Sequence, residues 1–310
     1  MKNVGASVLT HLKNLSRETR QDMQSYMRLY AQQRLLYRIS VSEIAPSFVL
    51  KGGVMLAAYN DGHLFRASED IDFNAYMRSL TADGATAEVV NAIRIAVATP
   101  VPDDGVVFDT STMTTKKEHV GRIPGSKVML IAHIHTARIQ LSVDVGFGNV
   151  ITPDAVPMEI PTLLPGLVPC PVIAGYPLET IIAEKLHAVR QFGMDNTRHK
   201  DLFDLWRIQD NYKLDGATVS RAVALTFEHQ GSSVETDLPG LSEAYMERNT
   251  GAWAAFLRKN ALKADEDFRD VGATLRYFAN PIMAGALGHL KLGAWEPGRG
   301  WEVYSPSLVF

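Results

Sequence analysis

The chain has 310 residues, 46% of them hydrophobic and 21% charged, with a formal net charge of -3. That length can bury a substantial core in roughly one to three domains, and the balance excludes a disordered chain or a globally basic nucleic-acid binder. Cys170 is the single cysteine, so no intrachain disulfide forms; the N-terminus does not read as a signal peptide, and no apolar run approaches the roughly 20 residues of a membrane span, so a cytoplasmic protein is expected.

Met23, Tyr26, Met27, Tyr30 and Tyr37 recur at helical spacing and predict a core-facing amphipathic helix from about Arg17 to Val41, with Pro46 closing the region. Phe48-Val49-Leu50 reads as a short buried strand that Gly52-Gly53 turns into a helix carrying Met55, Leu56 and Tyr59. Ile71 to Ala75 reads as a second strand and Thr81 to Thr99 as a helix. Val128 to His135 and Arg138 to Val145 read as a hairpin; in its second strand Ile139, Leu141, Val143 and Val145 alternate with Gln140, Ser142 and Asp144, which puts Asp144 on a polar face. Between Thr152 and Pro177 seven prolines predict an extended connector. Helices follow at Leu178 to Phe192, Arg198 to Gln209, Thr218 to His229, Leu241 to Arg258 and Asp265 to Phe278. The tail from Gly285 to Phe310, with Trp295 and Trp301, carries no assignable element. The implied division is an N-terminal helical segment (1–47), a core (48–160), a proline-rich connector (161–176) and a C-terminal helical lobe (177–310).

The chemistry concentrates in Lys51-Gly52-Gly53 and Arg66-Ala67-Ser68-Glu69-Asp70-Ile71-Asp72-Phe73. Glycines before a helix N-terminus allow phosphates to approach the backbone closely. Asp70 and Asp72 alternate with apolar Ile71, so both carboxylates share one face of a strand; with Asp144 they form a set of hard oxygen donors suited to Mg²⁺ or Mn²⁺. The plain alternative for each motif is a tight turn and a solvated strand acid. A second constellation is Lys185 with Arg198, Asp201 and Asp204 on the two helices after the connector. It reads equally as intrahelix salt bridging, Arg198 to Asp201 and Asp204 to Arg207, or as a lysine for a triphosphate oriented by Asp201 and Asp204. Basic residues cluster at Lys116, Lys117, His119, Arg122 and Lys127, read as a solvated loop or a phosphate track, and at Lys185, His187, Arg190, Arg198, His199 and Lys200. No zinc spacing and no Gly-x-Ser-x-Gly element is present.

FVLKGGVMLAAY and FRASEDIDF, followed by RIQLSVDVGFGNVITPD, YPLETIIAEKLHAVRQFGMDNTRHKDLFDLW and DGATVSRAVALTFEHQG, resemble the ordered blocks of the AbiEii/AbiGii toxin family, nucleotidyltransferases of the DNA polymerase β-like superfamily. The resemblance runs from about Met23 to Gly231. It implies an α/β (α+β) fold: a polymerase β-like core with a small mixed sheet, plus a C-terminal helical lobe closing a nucleotide cleft. It further implies that Gly52, Gly53 and Ser68, with Lys51 and Arg66, serve the nucleotide phosphates, that Asp70, Asp72 and Asp144 bind the metal, and that Lys185, Asp201 and Asp204 are catalytic. The implied activity is transfer of a nucleotide from an NTP to an acceptor hydroxyl, with the tRNA 3′ end as acceptor and translation as the target. A small molecule, a protein acceptor or a non-catalytic nucleotide- or RNA-binding module are the alternatives. The implied partner is an antitoxin, either a winged-helix protein or a kinase that modifies the Ser68 position. The stretch TTKKEHVGRIPGSK departs from the family's glycine-rich spacing.

Overall fold

The computed structural model describes residues 3–60, 68–79, 81–120, 123–262 and 267–304. Its contacts divide the chain into two compact units, Met1–Asn149 with Ala155–Tyr176, and Val150–Asp154 with Pro177–Phe310.

The first unit opens with two helices, Val4–Thr19 (α1) and Met23–Ser40 (α2), where one helix from Arg17 was expected. The break is local chemistry. Arg20 takes a left-handed conformation that ends α1, and the Asp22 side chain accepts from Ser25 N–H to start α2. Helix α2 is also not amphipathic in the expected way, since every residue from Tyr30 to Leu36 is buried. Its buried polar groups are used internally. Gln33 Nε2 donates to Pro161 O (2.8 Å) and Gln33 Oε1 accepts from Leu163 N–H (3.0 Å). Arg34 donates to Pro169 O (2.9 Å), and Arg38 grips both oxygens of Asp104 (2.6 and 3.0 Å).

A seven-stranded sheet forms the body of this unit. Its strands are Phe48–Lys51 (β1), Ile71–Ala75 (β2), Val106–Val120 (β3), Ile123–Ile134 (β4), Ala137–Phe147 (β5), Val156–Glu159 (β6) and Val172–Gly175 (β7), in the order β3-β4-β5-β2-β1-β7-β6. The pairs β2–β5 and β1–β7 are parallel and the rest antiparallel, so the sheet is mixed. Helix Gly52–Tyr59 (α3) follows β1 directly, and Ala82–Ala98 (α4) is capped by the Thr81 side chain. Two expectations are corrected. The proline-rich stretch is not simply a connector, because β6 and β7 inside it extend the sheet; Pro157 sits on the edge strand β6, where a missing N–H costs no ladder bond. The basic stretch is no loop either: Lys116 and Lys117 lie on β3 and Lys127 on β4.

The second unit holds Leu178–Phe192 (α5), His199–Asn211 (α6), Gly216–His229 (α7), Glu243–Lys259 (α8) and Phe268–Ala286 (α9). Pro177 stands at the N-terminus of α5 and Gly193 just past its end, as the sequence indicates. Helix α9 continues through Pro281 to Ala286, beyond its expected end at Phe278. The unassigned tail forms a hairpin, Lys291–Glu296 (β9) and Gly300–Tyr304 (β10), which pairs with the short strand Leu214–Asp215 (β8). Indole N–H groups fasten it: Trp295 donates to Gln209 O (2.8 Å) and Trp301 to Phe278 O (2.9 Å). Among the described residues no helix is long and apolar enough to cross a membrane.

Candidate active site

Strand register lines up charged residues on one face of the large sheet. Lys51 pairs with Asp72, Asp72 with Asp144, Asp144 with Lys127, and Lys127 with Lys116. Registered neighbours project from the same face of a sheet, with strands about 4.8 Å apart. The row therefore reads basic, acidic, acidic, basic, basic across β1, β2, β5, β4 and β3. Asp70 stands immediately before β2, with Ile71 between it and Asp72 fully buried. The alternation that the sequence suggested is what sends Ile71 into the core and leaves the two acids outside it.

Lys127 Nζ lies 3.2 Å from Asp144 Oδ2 and 3.9 Å from Asp70 Oδ2. Ser142 Oγ donates to Asp144 Oδ1 at 3.4 Å. Burial first, then the negative charges of Asp70 and Asp72, push the Asp144 carboxyl up to about 6, against the opposing effect of Lys127. Asp70, Asp72 and Asp144 offer only carboxylate oxygen, which fits a hard divalent cation. Among the described residues no three His, Cys, Asp or Glu side chains stand as a ready cluster for an ion, and the bridging cation between Asp70 and Asp144 is the Lys127 ammonium.

The glycine pair has a specific reason to be there. Gly52 has φ +74°, and a Cβ on it would come within 2.1 Å of Asp72 Oδ2. The Asp72 carboxylate therefore lies against the backbone at the N-terminus of α3, where only glycine leaves room. Gly53 follows, buried, in the first turn of α3. Lys51 Nζ sits 5.5 Å from the Tyr176 ring centroid. Ser68 Oγ donates to Asp70 O (3.1 Å), so it braces the turn that presents Asp70. Gln32, fully buried on α2, donates from Nε2 to Glu69 O (3.0 Å) and braces the same turn from the core side. Arg66, expected at the nucleotide, lies outside the described residues.

The second unit holds the other set. Lys185 of α5 donates to Asp201 Oδ1 and Asp204 Oδ2 of α6, both at 2.8 Å, and Arg198 Nε donates to Asp201 Oδ2 at 2.6 Å. The Asp204 side chain is 0% exposed and that of Asp201 5%. Burial would raise the Asp201 carboxyl, but the charges of Lys185 and Arg198, with their hydrogen bonds, hold it well below the usual carboxylate range. Of the two pairings foreseen within α6, Arg198 with Asp201 forms; Asp204 reaches Lys185 on α5, while Arg207 lies over the Trp206 ring (5.9 Å). Three of the neighbouring basic residues have local partners. His187 is buried against Ser232 Oγ (3.1 Å) and the Phe227 ring, and Arg190 pairs with Glu235. His199 lies among Trp253, Phe256 and Phe268. Burial lowers the pKa of both histidines, so they are neutral near pH 7.

The sequence model of the family "Nucleotidyl transferase AbiEii toxin, Type IV TA system" matches residues 34–274, which include both charged sets. The chain belongs to the AbiEii family. It is accordingly a nucleotidyltransferase of the toxin class, with an NTP substrate and an antitoxin partner implied by the family. Among solved structures it is similar to JHP933 from Helicobacter pylori, at 14% identity and a TM-score of 0.50 over 86% of this chain and 95% of that one. A suspected nucleotidyltransferase from H. pylori gives 16% identity and a TM-score of 0.45 over 86% of this chain and 98% of that one. At such identities the likeness to JHP933 concerns the fold alone. No curated protein matches the chain.

In this AbiEii chain, strand register sets Asp72 beside Asp144 and packs it against Gly52, with Asp70 just before β2, and the structure adds two residues that bear on this set. Lys127 belongs to a basic cluster that the sequence leaves as a solvated loop or a phosphate track, because its pairing with Asp144 exists only through the β4–β5 register. Gln32 was hidden inside a helix read by its aromatic residues; the run Gln32-Gln33-Arg34 between Ala31 and Leu35 was the available signal of a buried polar seam.

Proposed function

We propose that this AbiEii chain transfers a nucleoside monophosphate from an NTP to a hydroxyl of RNA, with the tRNA 3′ end as the acceptor, in a Mg²⁺-dependent reaction. The observation that carries the reading is the registered pair Asp72 and Asp144 with Asp70 beside them, set against the Gly52 backbone. Asp70, Asp72 and Asp144 would hold the divalent ion, which supplies charge neutralisation of the triphosphate and activation of the attacking hydroxyl. The residues of the chain do the positioning. Gly52 lets the Asp72 carboxylate lie against the start of α3, and the N–H groups of that helix end favour negative charge there. Ser68 and Gln32 fix the carbonyls on either side of Asp70 and so its direction. The acceptor oxygen attacks the α-phosphorus, the bond to the bridging oxygen breaks, and pyrophosphate leaves; the hydroxyl proton passes to a carboxylate of the acidic row or to solvent.

Lys185 is assigned to the triphosphate by the family likeness, as a point charge whose ammonium Asp201 and Asp204 keep in one place. Incubation with each α-labelled NTP, Mg²⁺ and total RNA tests the reading. Label in tRNA, lost in Asp72→Asn, is the expected result. Label recovered only in protein or small molecules excludes RNA as the acceptor.

A further inference from the structure

Lys127 stands where a cation is required and yet is attached to the chain. Its strand is hydrogen-bonded on both sides, to β3 and to β5, so the backbone is fixed and only the flexible four-carbon stem can move. Its ammonium touches Asp144 (3.2 Å) and Asp70 (3.9 Å) and thereby occupies the space between two of the three acids. On its other side the registered neighbour is Lys116, and like charges directly opposite repel, which favours the position over the acids. The side chains of Lys127, Asp70 and Asp144 retain 24%, 35% and 28% exposure. Partly exposed ion pairs of this kind add little to fold stability, so the contact is not explained as a structural tie.

We propose that Lys127 is a built-in counter-cation of the acidic row, which keeps divalent ions off Asp70 and Asp144 until a nucleotide arrives. The inference rests on the reading of these acids as metal-binding. A divalent ion entering alone must displace the ammonium from both carboxylates. A triphosphate changes that balance. Its oxygens offer the ammonium another anionic partner within reach of the same stem, and the vacated carboxylates become available to the ion. Metal and nucleotide therefore bind with positive coupling, and by linkage each tightens the other equally. Lys127 is a positioning residue in this account, acting through Asp70 and Asp144.

Mn²⁺ binding to the full chain, followed by calorimetry without nucleotide, decides the matter. Lys127→Met is expected to bind Mn²⁺ at least tenfold more tightly than the wild type, and Lys127→Gln to do the same should the methionine variant fold poorly by circular dichroism. Lys127→Arg, which keeps the charge, is expected to stay at the wild-type affinity. In parallel, the affinity for a non-hydrolysable NTP analogue should rise with Mn²⁺ in the wild type and rise less in Lys127→Met. Neutral variants that bind Mn²⁺ no more tightly than the wild type overturn the inference. Failure of the metal reading looks different: Asp72→Asn and Asp144→Asn then leave Mn²⁺ binding unchanged, or Mn²⁺ binds no form of the protein with or without analogue.

Discussion

Asp144→Asn is expected to stabilise the fold while it removes the activity. The carboxyl has an ordinary value of 3.8 and is pushed up to about 6 in the folded chain by burial and by Asp70 and Asp72. At about 1.4 kcal/mol per pH unit, that rise makes the ionised form about 3 kcal/mol less favourable in the folded than in the unfolded chain. The sign follows from proton binding. The folded chain holds this proton more tightly, so the penalty is complete above about pH 6, shrinks as pH falls, and is gone below 3.8. The side chain is 28% exposed and the variant forfeits an ion pair with Lys127, so solvent screening and that loss reduce the gain to about 1–2 kcal/mol near neutral pH. Urea unfolding at about pH 7.5 and about pH 4 measures it, with the midpoint raised at the higher pH and unchanged at the lower. A variant less stable than wild type at neutral pH, or one with the same gain at both pH values, refutes the reasoning that burial, with the charges of Asp70 and Asp72, penalises the ionised Asp144 carboxylate.

Other substitutions read separate parts of the structure. Gly52→Ala places a Cβ within 2.1 Å of the Asp72 carboxylate at φ +74°; a loss of about 1–3 kcal/mol in unfolding free energy, with near-complete loss of nucleotide transfer, is expected, and wild-type behaviour contradicts the close packing. Lys185→Met leaves Asp204 buried without its lysine and should cost about 3–5 kcal/mol, whereas Lys185→Met combined with Asp204→Leu should recover much of that stability without recovering activity. Stability that does not recover in the double variant shows that the buried charges are not the cause. The same cluster sets an acid limit: because Lys185 and Arg198 hold Asp201 below its ordinary value of 3.8, its contribution is complete above that pH and is lost as pH falls further, which a thermal-unfolding series below pH 4 detects. Gln32→Leu removes the bond to the Glu69 carbonyl; nucleotide transfer should fall several-fold with unfolding free energy changed by no more than about 1 kcal/mol, and an unchanged rate argues against its bracing of Asp70.

Much of the acidic row was legible because its determinants are local. Ile71 between two aspartates and the alternation from Ile139 to Val145 fix which side chains leave the core, and Gly52 at the head of the octet GGVMLAAY marks the turn into α3. Helix α5 was equally plain, with Pro177 before it and Gly193 after it. Strand β3 was not, since VVFDTSTMTTKKEHV lies at the edge of the sheet and, among its described side chains, only Val106 and Phe108 show the buried alternation of a half-covered strand. Strand β6 was masked by Pro157, which its edge position tolerates, and the four-residue β7 by Pro171 and Pro177 on either side of it. Lys127 on Asp144, Asp72 beside Asp144, and Lys185 on Asp204 are long-range facts. Each depends on register or helix packing that no local pattern encodes.

The most direct test of the central claim is the fate of the α-phosphate of an NTP. Purified protein incubated with α-labelled NTP, Mg²⁺ and RNA should release pyrophosphate and place label on an RNA 3′ end, while Asp72→Asn, folded by circular dichroism, should do neither. Pyrophosphate release and labelling that persist in Asp72→Asn contradict the assignment of the acidic row, and wild-type protein that labels no RNA with any NTP contradicts the proposed acceptor.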